Sequence, residues 1–306
     1  MSDSSSAYSE AWIAGPGDHQ FYTRTYTAAS APRAAVLFVH GFADHVGRYE
    51  HAHCNWAARD IMVFAFDQRG FGRTALDNQH KSKDAVYGKA SHQMQMQDIE
   101  WWVRHVKKEH PNLPLFLFGH SMGGGMVLAF STQAQPPPSS ETIKLLSGVI
   151  ASSPLLLQTV PASKLLRKAG GMAATIIPWL PFPARVPAED LSHDAIVNRA
   201  SELDPLIKSY GTFRGLTDML ERGENLLRSG YHHWPENLSV TSHTASEQFF
   251  NKLDAEDKKL ALFPGGYHEL TNEPNGMKEK FWDECVSWIL AHVPATSGDG
   301  AHLAKL

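Results

Sequence analysis

The segment Gly119-His120-Ser121-Met122-Gly123 decides the fold, because a short apolar run precedes it and a helix-forming run follows it. Residues 115–118 are all Leu or Phe, which is typical of a buried parallel strand, and residues 126–132 indicate a helix. A serine on a sharp strand-to-helix turn in the pattern Gly-x-Ser-x-Gly is a nucleophile elbow. Side chains at positions 119 and 123 would collide with the packed strand and helix. We therefore predict that Ser121 is a catalytic nucleophile.

The chain on both sides of this elbow alternates apolar strand patterns with helical patterns. Further strands are predicted at 12–14, 21–26, 34–39, 61–66, 145–151 and 259–263, and amphipathic helices at 91–109 and 275–292. Such an alternation predicts an α/β fold with a mostly parallel central sheet and helices on both faces. Reactive loops follow the carboxyl ends of parallel strands. His40-Gly41-Phe42, Asp67 and Ser121 are therefore expected at one edge of the sheet.

The strand pattern stops between residues 155 and 235, where helical patterns at 163–175, 189–200 and 212–229 are joined by a proline-rich stretch. We predict a helical cap over 155–235, inserted into a core formed by 1–154 and 236–306, with a flexible tail over 294–306. Apolar residues of the cap either line an acyl pocket or pack the cap onto the core; they are Ile176, Ile177, Trp179, Leu180 and Phe182.

A serine hydroxyl becomes a good nucleophile only with a base within hydrogen-bond reach. His268 follows the last predicted strand, where the chain order serine, acid, histidine places the base. The backbone N–H groups of Phe42 and Met122 are predicted to form the oxyanion hole. This chemistry requires no cofactor and no metal. His51 and His53 point apart on a helical pattern, which disfavours a metal site there.

Composition excludes other classes of function. The net charge is −4 and no basic stripe is present, so no nucleic acid partner is expected. The two cysteines give no disulfide framework, and no run of about eighteen apolar residues predicts a membrane span. We expect an intracellular protein in the cytoplasm or at the lipid droplet surface. The terminal Ala304-Lys305-Leu306 is similar to a Ser-Lys-Leu peroxisomal signal, which makes the peroxisome the alternative.

Several motifs in combination resemble the monoglyceride lipase family of the α/β-hydrolases, in its fungal branch. They are His40-Gly41-Phe42-Ala43-Asp44-His45 with Gly47-Arg48-Tyr49, Asp67-Gln68-Arg69-Gly70-Phe71-Gly72, Gly119 to Gly124, Ser153-Pro154-Leu155, Asp204-Pro205-Leu206 and Pro264 to Leu270. The resemblance implies an eight-stranded sheet, a lipid-accommodating cap and hydrolysis of monoacylglycerol to fatty acid and glycerol through an acyl-enzyme on Ser121. It also implies a small lipid substrate and peripheral contact with a membrane or lipid droplet surface.

One departure concerns the catalytic acid, which the family carries after a seventh strand in a His-Gly-x-x-Asp segment. Here residues 234–240 run directly into Thr241-Ser242-His243 and a helix predicted at 244–253, and no aspartate lies between Asp218 and Asp254. Five extended residues span at most about 18 Å, which is too short for a central strand and an acid loop. We therefore predict that the seventh strand and the acid are deleted together. The remaining acid candidates are Glu236, Asp254 and Asp257.

These observations favour a carboxylic ester hydrolase of the monoacylglycerol lipase type with impaired activity. A lysophospholipase or general carboxylesterase on the same scaffold is the nearest alternative. A catalytically impaired lipid-binding homologue that keeps the acyl pocket is the alternative of another class.

Overall fold

The computed structural model describes residues 7–158, 163–235, 238–243 and 247–294, with the backbone alone at 164 and 239–243. Its strands are β1 (Ser9–Ala14), β2 (Gln20–Tyr26), β3 (Ala34–Val39), β4 (Ile61–Phe66), β5 (Leu115–His120), β6 (Gly148–Ser152), β7 (Pro181–Pro183), β8 (Tyr210–Thr212), β9 (Ser239–His243) and β10 (Lys258–Ala261). Its α-helices are α1 (Glu50–Ala57), α2 (Gly72–Leu76), α3 (His92–Glu109), α4 (Met122–Thr132), α5 (Ser140–Ile143), α6 (Lys164–Ile176), α7 (Ala195–Leu203), α8 (Phe213–Arg228), α9 (Glu247–Lys252) and α10 (Met277–Ala291).

The central sheet has the strand order β1-β2-β4-β3-β5-β6-β9-β10. The first two strands are antiparallel to their neighbours, and every pairing from β4 to β10 is parallel. The predicted mostly parallel α/β sheet is confirmed. Parallel strands place their carboxyl ends at one edge, so the loops after β3, β5 and β10 meet there.

Alternation along the central strands divides the core into two layers. Leu115 and Leu117 of β5 pack with Trp102 of α3 and with α4 on one face of the sheet. Phe116 and Phe118 pack with α1 and α10 on the other. Burying one large apolar side chain stabilises a fold by roughly 1.5–3 kcal/mol, so both faces hold the sheet rigid beneath the reactive edge.

The prediction that the seventh strand is deleted is wrong. Strand β9 pairs with β6 from Gly148↔Ser239 to Ser152↔His243 and with β10 from Lys258↔Val240 to Ala261↔His243. Its five residues equal the length of β6. Helix α9 begins at Glu247 rather than at 244, which leaves residues 241–243 free to complete the strand. Strand β9 therefore fills the place in the sheet that was predicted to be empty. What the sequence lacks is a long loop between β9 and α9 that could carry the acid.

The elements between β6 and β9 include α6, α7 and α8 and a short antiparallel ribbon of β7 with β8. The sequence pattern did not predict this ribbon, because strands of three residues are too short to show a period of two. Glu236 and the tail from 295, with its Ala304-Lys305-Leu306, lie outside the described residues. Within the described ranges, none of the helices has the length and apolar character that a membrane crossing needs.

Candidate active site

The elbow forms as predicted. Ser121 follows β5 with φ 55° and ψ −117°, a strained conformation for a residue with a side chain, and α4 begins at the next residue. A Cβ on Gly119 would lie 2.2 Å from the carbonyl oxygen of Gly123, and a Cβ on Gly123 would lie 2.2 Å from that of Val39. The Ser121 N–H donates to the Ser152 carbonyl at 2.9 Å, which ties the turn to β6. Glycine at both positions is therefore a condition for presenting the hydroxyl.

His268 lies against this hydroxyl, with 2.8 Å between its Nε2 and the Ser121 Oγ. The structure thus brings together the two residues that the sequence assigned as nucleophile and base. Burial lowers the pKa of His268 below its ordinary value, while the carboxylates of Glu269 and Asp44 act to raise it. The imidazole is therefore neutral at pH 7 and able to accept the serine proton.

The segment that carries His268 is held by the cap. The N–H groups of His268 and Glu269 donate to the carbonyls of Asp190 and Leu191 at 3.4 and 2.8 Å. The buried Ser192 hydroxyl donates to the Asn272 carbonyl at 2.8 Å. We call these contacts between 190–193 and 268–273 the cap clasp.

His193 completes the cap clasp on both sides of the base. Its N–H and its Nδ1 lie 3.0 and 2.7 Å from the carboxylate oxygens of the buried Glu273. Its ring lies on that of Tyr267, with 3.7 Å between the ring centroids. Since Tyr267 directly precedes His268, the cap fixes the backbone on which the base stands.

The predicted oxyanion donors belong to loops that touch the nucleophile. Phe42 follows β3, and a Cβ on the preceding Gly41 would lie 3.3 Å from the Ser121 Cβ. His40 braces this loop: its Nε2 accepts from the Gln68 N–H at 2.8 Å, and its carbonyl accepts from the Gln68 amide at 2.6 Å. Met122 opens α4, whose amino end carries a positive partial charge. The oxyanion role of the Phe42 and Met122 N–H groups stays a prediction.

A buried charge cluster, which sequence reasoning missed, joins the oxyanion loop to the base loop. The Arg48 guanidinium donates twice to Glu269, at 2.7 Å each, and once to Asp44, at 3.2 Å. Burial would raise the pKa of both carboxyls, but Arg48 holds both pKa values below their usual range. The cluster of two carboxylates and one guanidinium therefore carries one negative charge beside His268. The motif Gly47-Arg48-Tyr49 was its only sequence signal.

Two of the three acid candidates, Asp254 and Asp257, are not brought to the base. Asp254 and Asp257 are exposed and follow α9, at the amino end of β10, whereas His268 follows the carboxyl end of that strand. Asp257 bonds instead to Nε2 of His292 at 2.7 Å. Over the described ranges, no carboxylate bonds to Nδ1 of His268.

A cavity of about 1120 Å³ opens above Ser121 and His268. Its apolar wall comes mainly from α6 and α8, with Leu166, Ala169, Ala173, Leu216, Met219 and Leu220. Of the predicted acyl pocket residues, Phe182 lines this cavity, and the assignment of the other four is wrong.

Ile176 fails as a lining residue because α6 has two apolar stripes, and Ile177, Trp179 and Leu180 lie beyond the end of the helix. Residues 166, 169 and 173 face the cavity, whereas Leu165, Met172 and Ile176 form a second, exposed stripe turned by roughly 70° around the helix. Ile176 is 75% exposed, and Ile177 and Leu180 are about half exposed beyond the helix end. Leu165, Met172, Ile176, Ile177 and Leu180 form an outer apolar surface of the cap.

His51 and His53, where the helical pattern disfavours a metal site, each have other partners in the structure. His51 bonds to the Thr271 carbonyl at 2.9 Å, and His53 is fully buried against the rings of Tyr26 and Phe38.

Comparisons with known proteins find a family and relatives for this chain. The family model described as serine aminopeptidase, S33, matches residues 30–275. A Schizosaccharomyces pombe protein assigned as a monoglyceride lipase is 31% identical over 89% of this chain and 71% of its own length. The monoacylglycerol lipase of Mycolicibacterium smegmatis is 29% identical over 94% of this chain and 99% of its own length. The solved structure of a soluble variant of Saccharomyces cerevisiae monoglyceride lipase matches with a TM-score of 0.83 and 20% identity, covering 97% and 98% of the two chains.

Proposed function

Because the chain belongs to the serine aminopeptidase S33 family of α/β-hydrolases, we propose that it is a serine ester hydrolase that releases fatty acid and glycerol from monoacylglycerol. The observation that carries the reaction type is the 2.8 Å contact between the Ser121 Oγ and the His268 Nε2 on the floor of an apolar cavity. The names of the relatives support the choice of substrate.

The reaction proceeds in two steps. His268 takes the Ser121 proton while the serine oxygen attacks the ester carbonyl, and the N–H groups of Phe42 and Met122 stabilise the oxyanion. The imidazolium then returns the proton to the departing glycerol oxygen, which leaves an acyl-enzyme. His268 next activates a water molecule, which releases the fatty acid and restores the serine.

The imidazolium needs a negative charge, and the cluster of Asp44, Arg48 and Glu269 supplies one without a direct hydrogen bond. In other serine hydrolases, loss of the acid that fixes the histidine tautomer lowers kcat by about 10⁴. We therefore expect slow turnover. Its residual rate comes from the elbow, the oxyanion donors and the charge cluster.

The outer apolar surface of the cap supports contact with a lipid surface. Leu165 and Ile176 are 79% and 75% exposed on one side of α6. Exposed apolar residues on an amphipathic helix enter the boundary between lipid head groups and acyl chains. We expect Leu165→Ser with Ile176→Ser to weaken sedimentation with phospholipid vesicles, while hydrolysis of a dispersed short-chain ester stays unchanged. Equal sedimentation of both proteins would contradict the contact.

Active-site labelling tests the reaction type. A fluorophosphonate probe should modify Ser121 in the wild-type protein and leave Ser121→Ala unmodified. Glycerol release from decanoylglycerol should disappear in the same variant. The variant should keep its melting temperature, because the serine hydroxyl and its partner His268 Nε2 both face the cavity, where water can replace the lost contact.

The outcome also separates the two classes of function. Labelling with glycerol release identifies a hydrolase. Saturable decanoylglycerol binding without any labelling would overturn the hydrolase and identify the lipid-binding homologue.

A further inference from the structure

Two cations flank one end of the ribbon of β7 and β8: Arg185 follows β7, and Lys208 precedes β8. Its register pairs Pro183 with Tyr210, and the Ala184 N–H donates to the Ser209 carbonyl at 3.0 Å. Continued two residues beyond the end of the ribbon, the same register would place Arg185 opposite Lys208. Directly opposite residues of an antiparallel pair share a face, with about 4.5–5.5 Å between their Cβ atoms, and like charges there are destabilising. Two neighbouring cations of this kind can bind one anionic group between them.

Both cations line the cavity that holds Ser121. Among the described residues, neither one makes an ion pair with a carboxylate. Two of the three carboxylates on the cavity wall, Asp44 and Glu269, are held by Arg48. The third, Asp190, pairs with neither cation over the same described ranges. Arg185 and Lys208 therefore have no carboxylate partner of their own among the described residues, although Asp190 and the Arg48 cluster each place one negative charge elsewhere on the wall.

The cation pair lies beside the oxyanion loop. Asp204, four residues before Lys208, bonds to Nε2 of His45 at 2.8 Å. A Cβ on Gly211 of β8 would lie 3.1 Å from the Phe42 ring. The ribbon thus borders the cavity next to the loop where an ester carbonyl would bind. A group attached to the alcohol side of that ester would share the cavity with both cations.

We propose that Arg185 and Lys208 bind a phosphate on the head group of a single-chain glycerol ester, so that acylglycerol phosphate is bound in preference to neutral monoacylglycerol. A phosphate dianion balances two cations, and a guanidinium can bind its oxygens in a bidentate manner. The inference rests on the proposed function for the cleavage itself. Ser121 forms the acyl bond as the ester C–O bond breaks, His268 protonates the leaving glycerol phosphate, and water then releases the fatty acid. The phosphate itself does not react.

Binding to the Ser121→Ala variant tests the subsite without requiring turnover. Decanoylglycerol phosphate, decanoylglycerol and decanoate would be titrated below their micelle concentrations, at low and high salt. We expect the phosphate ester to bind at least ten-fold more tightly than decanoylglycerol and to lose most of that advantage at high salt. Lys208→Gln and Arg185→Gln, each added to Ser121→Ala, should each reduce the preference several-fold.

Lys168→Gln is the matched control, because Lys168 is an exposed cation of the same cap that does not line the cavity. It should keep the full preference. Equal affinity for the phosphate ester and decanoylglycerol would overturn the proposal. So would a preference that survives Lys208→Gln and Arg185→Gln in folded protein, or an equal gain for decanoate, which would indicate unselective attraction of anions.

The wild-type protein separates this failure from that of the proposed function. Hydrolysis of decanoylglycerol without phosphate preference removes the subsite and keeps the hydrolase. Phosphate preference in a protein that cleaves neither ester keeps the subsite and removes the hydrolase.

Discussion

The strands that lead to the nucleophile and to the base differ in burial and in pairing. Strand β5, which carries Ser121, is buried along its whole length and is paired on both sides in the centre of the sheet. Strand β10, which leads to His268, has four residues, none of them buried, and lies at the sheet edge. The nucleophile is held by its own pentapeptide, whereas the base is held by the cap clasp and by Arg48. Precision at Ser121 is therefore local, and precision at His268 depends on distant residues.

Restoring an acid should produce the largest change, because it gives the base a direct partner. We expect insertion of a His-Gly-x-x-Asp loop after His243 to raise kcat for decanoylglycerol by between about 10² and 10⁴. The same loop with asparagine in place of the aspartate is the control and should give little gain. The unmodified chain could already hydrolyse decanoylglycerol with a kcat of about 10 s⁻¹, which is typical of enzymes. In that case another group orients His268, and the contrast between the supports of Ser121 and His268 is wrong.

Asp44→Asn tests whether the charge cluster acts on the base. We expect kcat to fall by about one order of magnitude, because the imidazolium loses a nearby negative charge. The pKa of His268 is below its ordinary value of about 6.5, so the wild-type rate should fall only as the pH drops below that value. The Asp44 carboxylate raises this pKa, so its removal should move the acidic limb to still lower pH.

The conservative Asp44→Glu variant should restore part of both the rate and the position of the limb. A lower melting temperature with an unmoved acidic limb would show that Asp44 only holds the loop together.

Ser192→Ala loosens the cap clasp without touching a reacting atom. The hydroxyl donates to Asn272 and accepts from the Asp194 N–H at 3.0 Å, so its loss should cost about 1 kcal/mol and lower kcat several-fold. Ser163→Ala is the matched control, since Ser163 caps α6 at the other end of the cap and touches nothing near His268. Thermal unfolding and kcat measured on both variants check this. Equal kcat values would mean that the cap does not position the base.

Ala173→Leu should give the smallest effect, a change of substrate preference. The larger side chain fills part of the cavity wall, and each acyl methylene that loses its place costs roughly 0.8 kcal/mol. The preferred acyl chain should shorten, with long esters disfavoured several-fold. Ile176→Ala, on the outer side of the same helix, should leave the chain-length profile unchanged. A shift in both variants would contradict the two-stripe description of α6.

The local features of this fold could be predicted from the sequence. The elbow needs only two glycines and a serine, and α3 shows a buried face with Ile99, Trp102 and Val103 at helical spacing. Ser121 and His268 were found because chain order fixes them relative to the strands. The residues between 155 and 235 were harder, because two apolar stripes on α6 cannot be told apart before the helix is packed.

The wrong and missed predictions concern residues whose structure is set by tertiary contacts rather than by the length of their segment. Strand β9 contains Ser239, Thr241 and Ser242, and its five residues were judged too few because strand and acid loop were counted together. Pairing on both sides makes such a strand stable in spite of its polar sequence. Arg48 was missed as a site residue because Glu269 is 221 positions away, and no periodicity reports a contact at that separation.

That single guanidinium makes the two catalytic loops epistatic. Asp44 and Glu269 share the positive charge of Arg48. A substitution at Asp44 therefore changes how strongly Arg48 stabilises Glu269, so the free-energy effects of changes at Asp44 and Glu269 will not add. In a homologue that has lost one of these carboxylates, the effect of losing the second is different, although Asp44 follows β3 and Glu269 follows β10. Among homologues of this chain, the three positions should therefore change together or remain together, as one heritable unit.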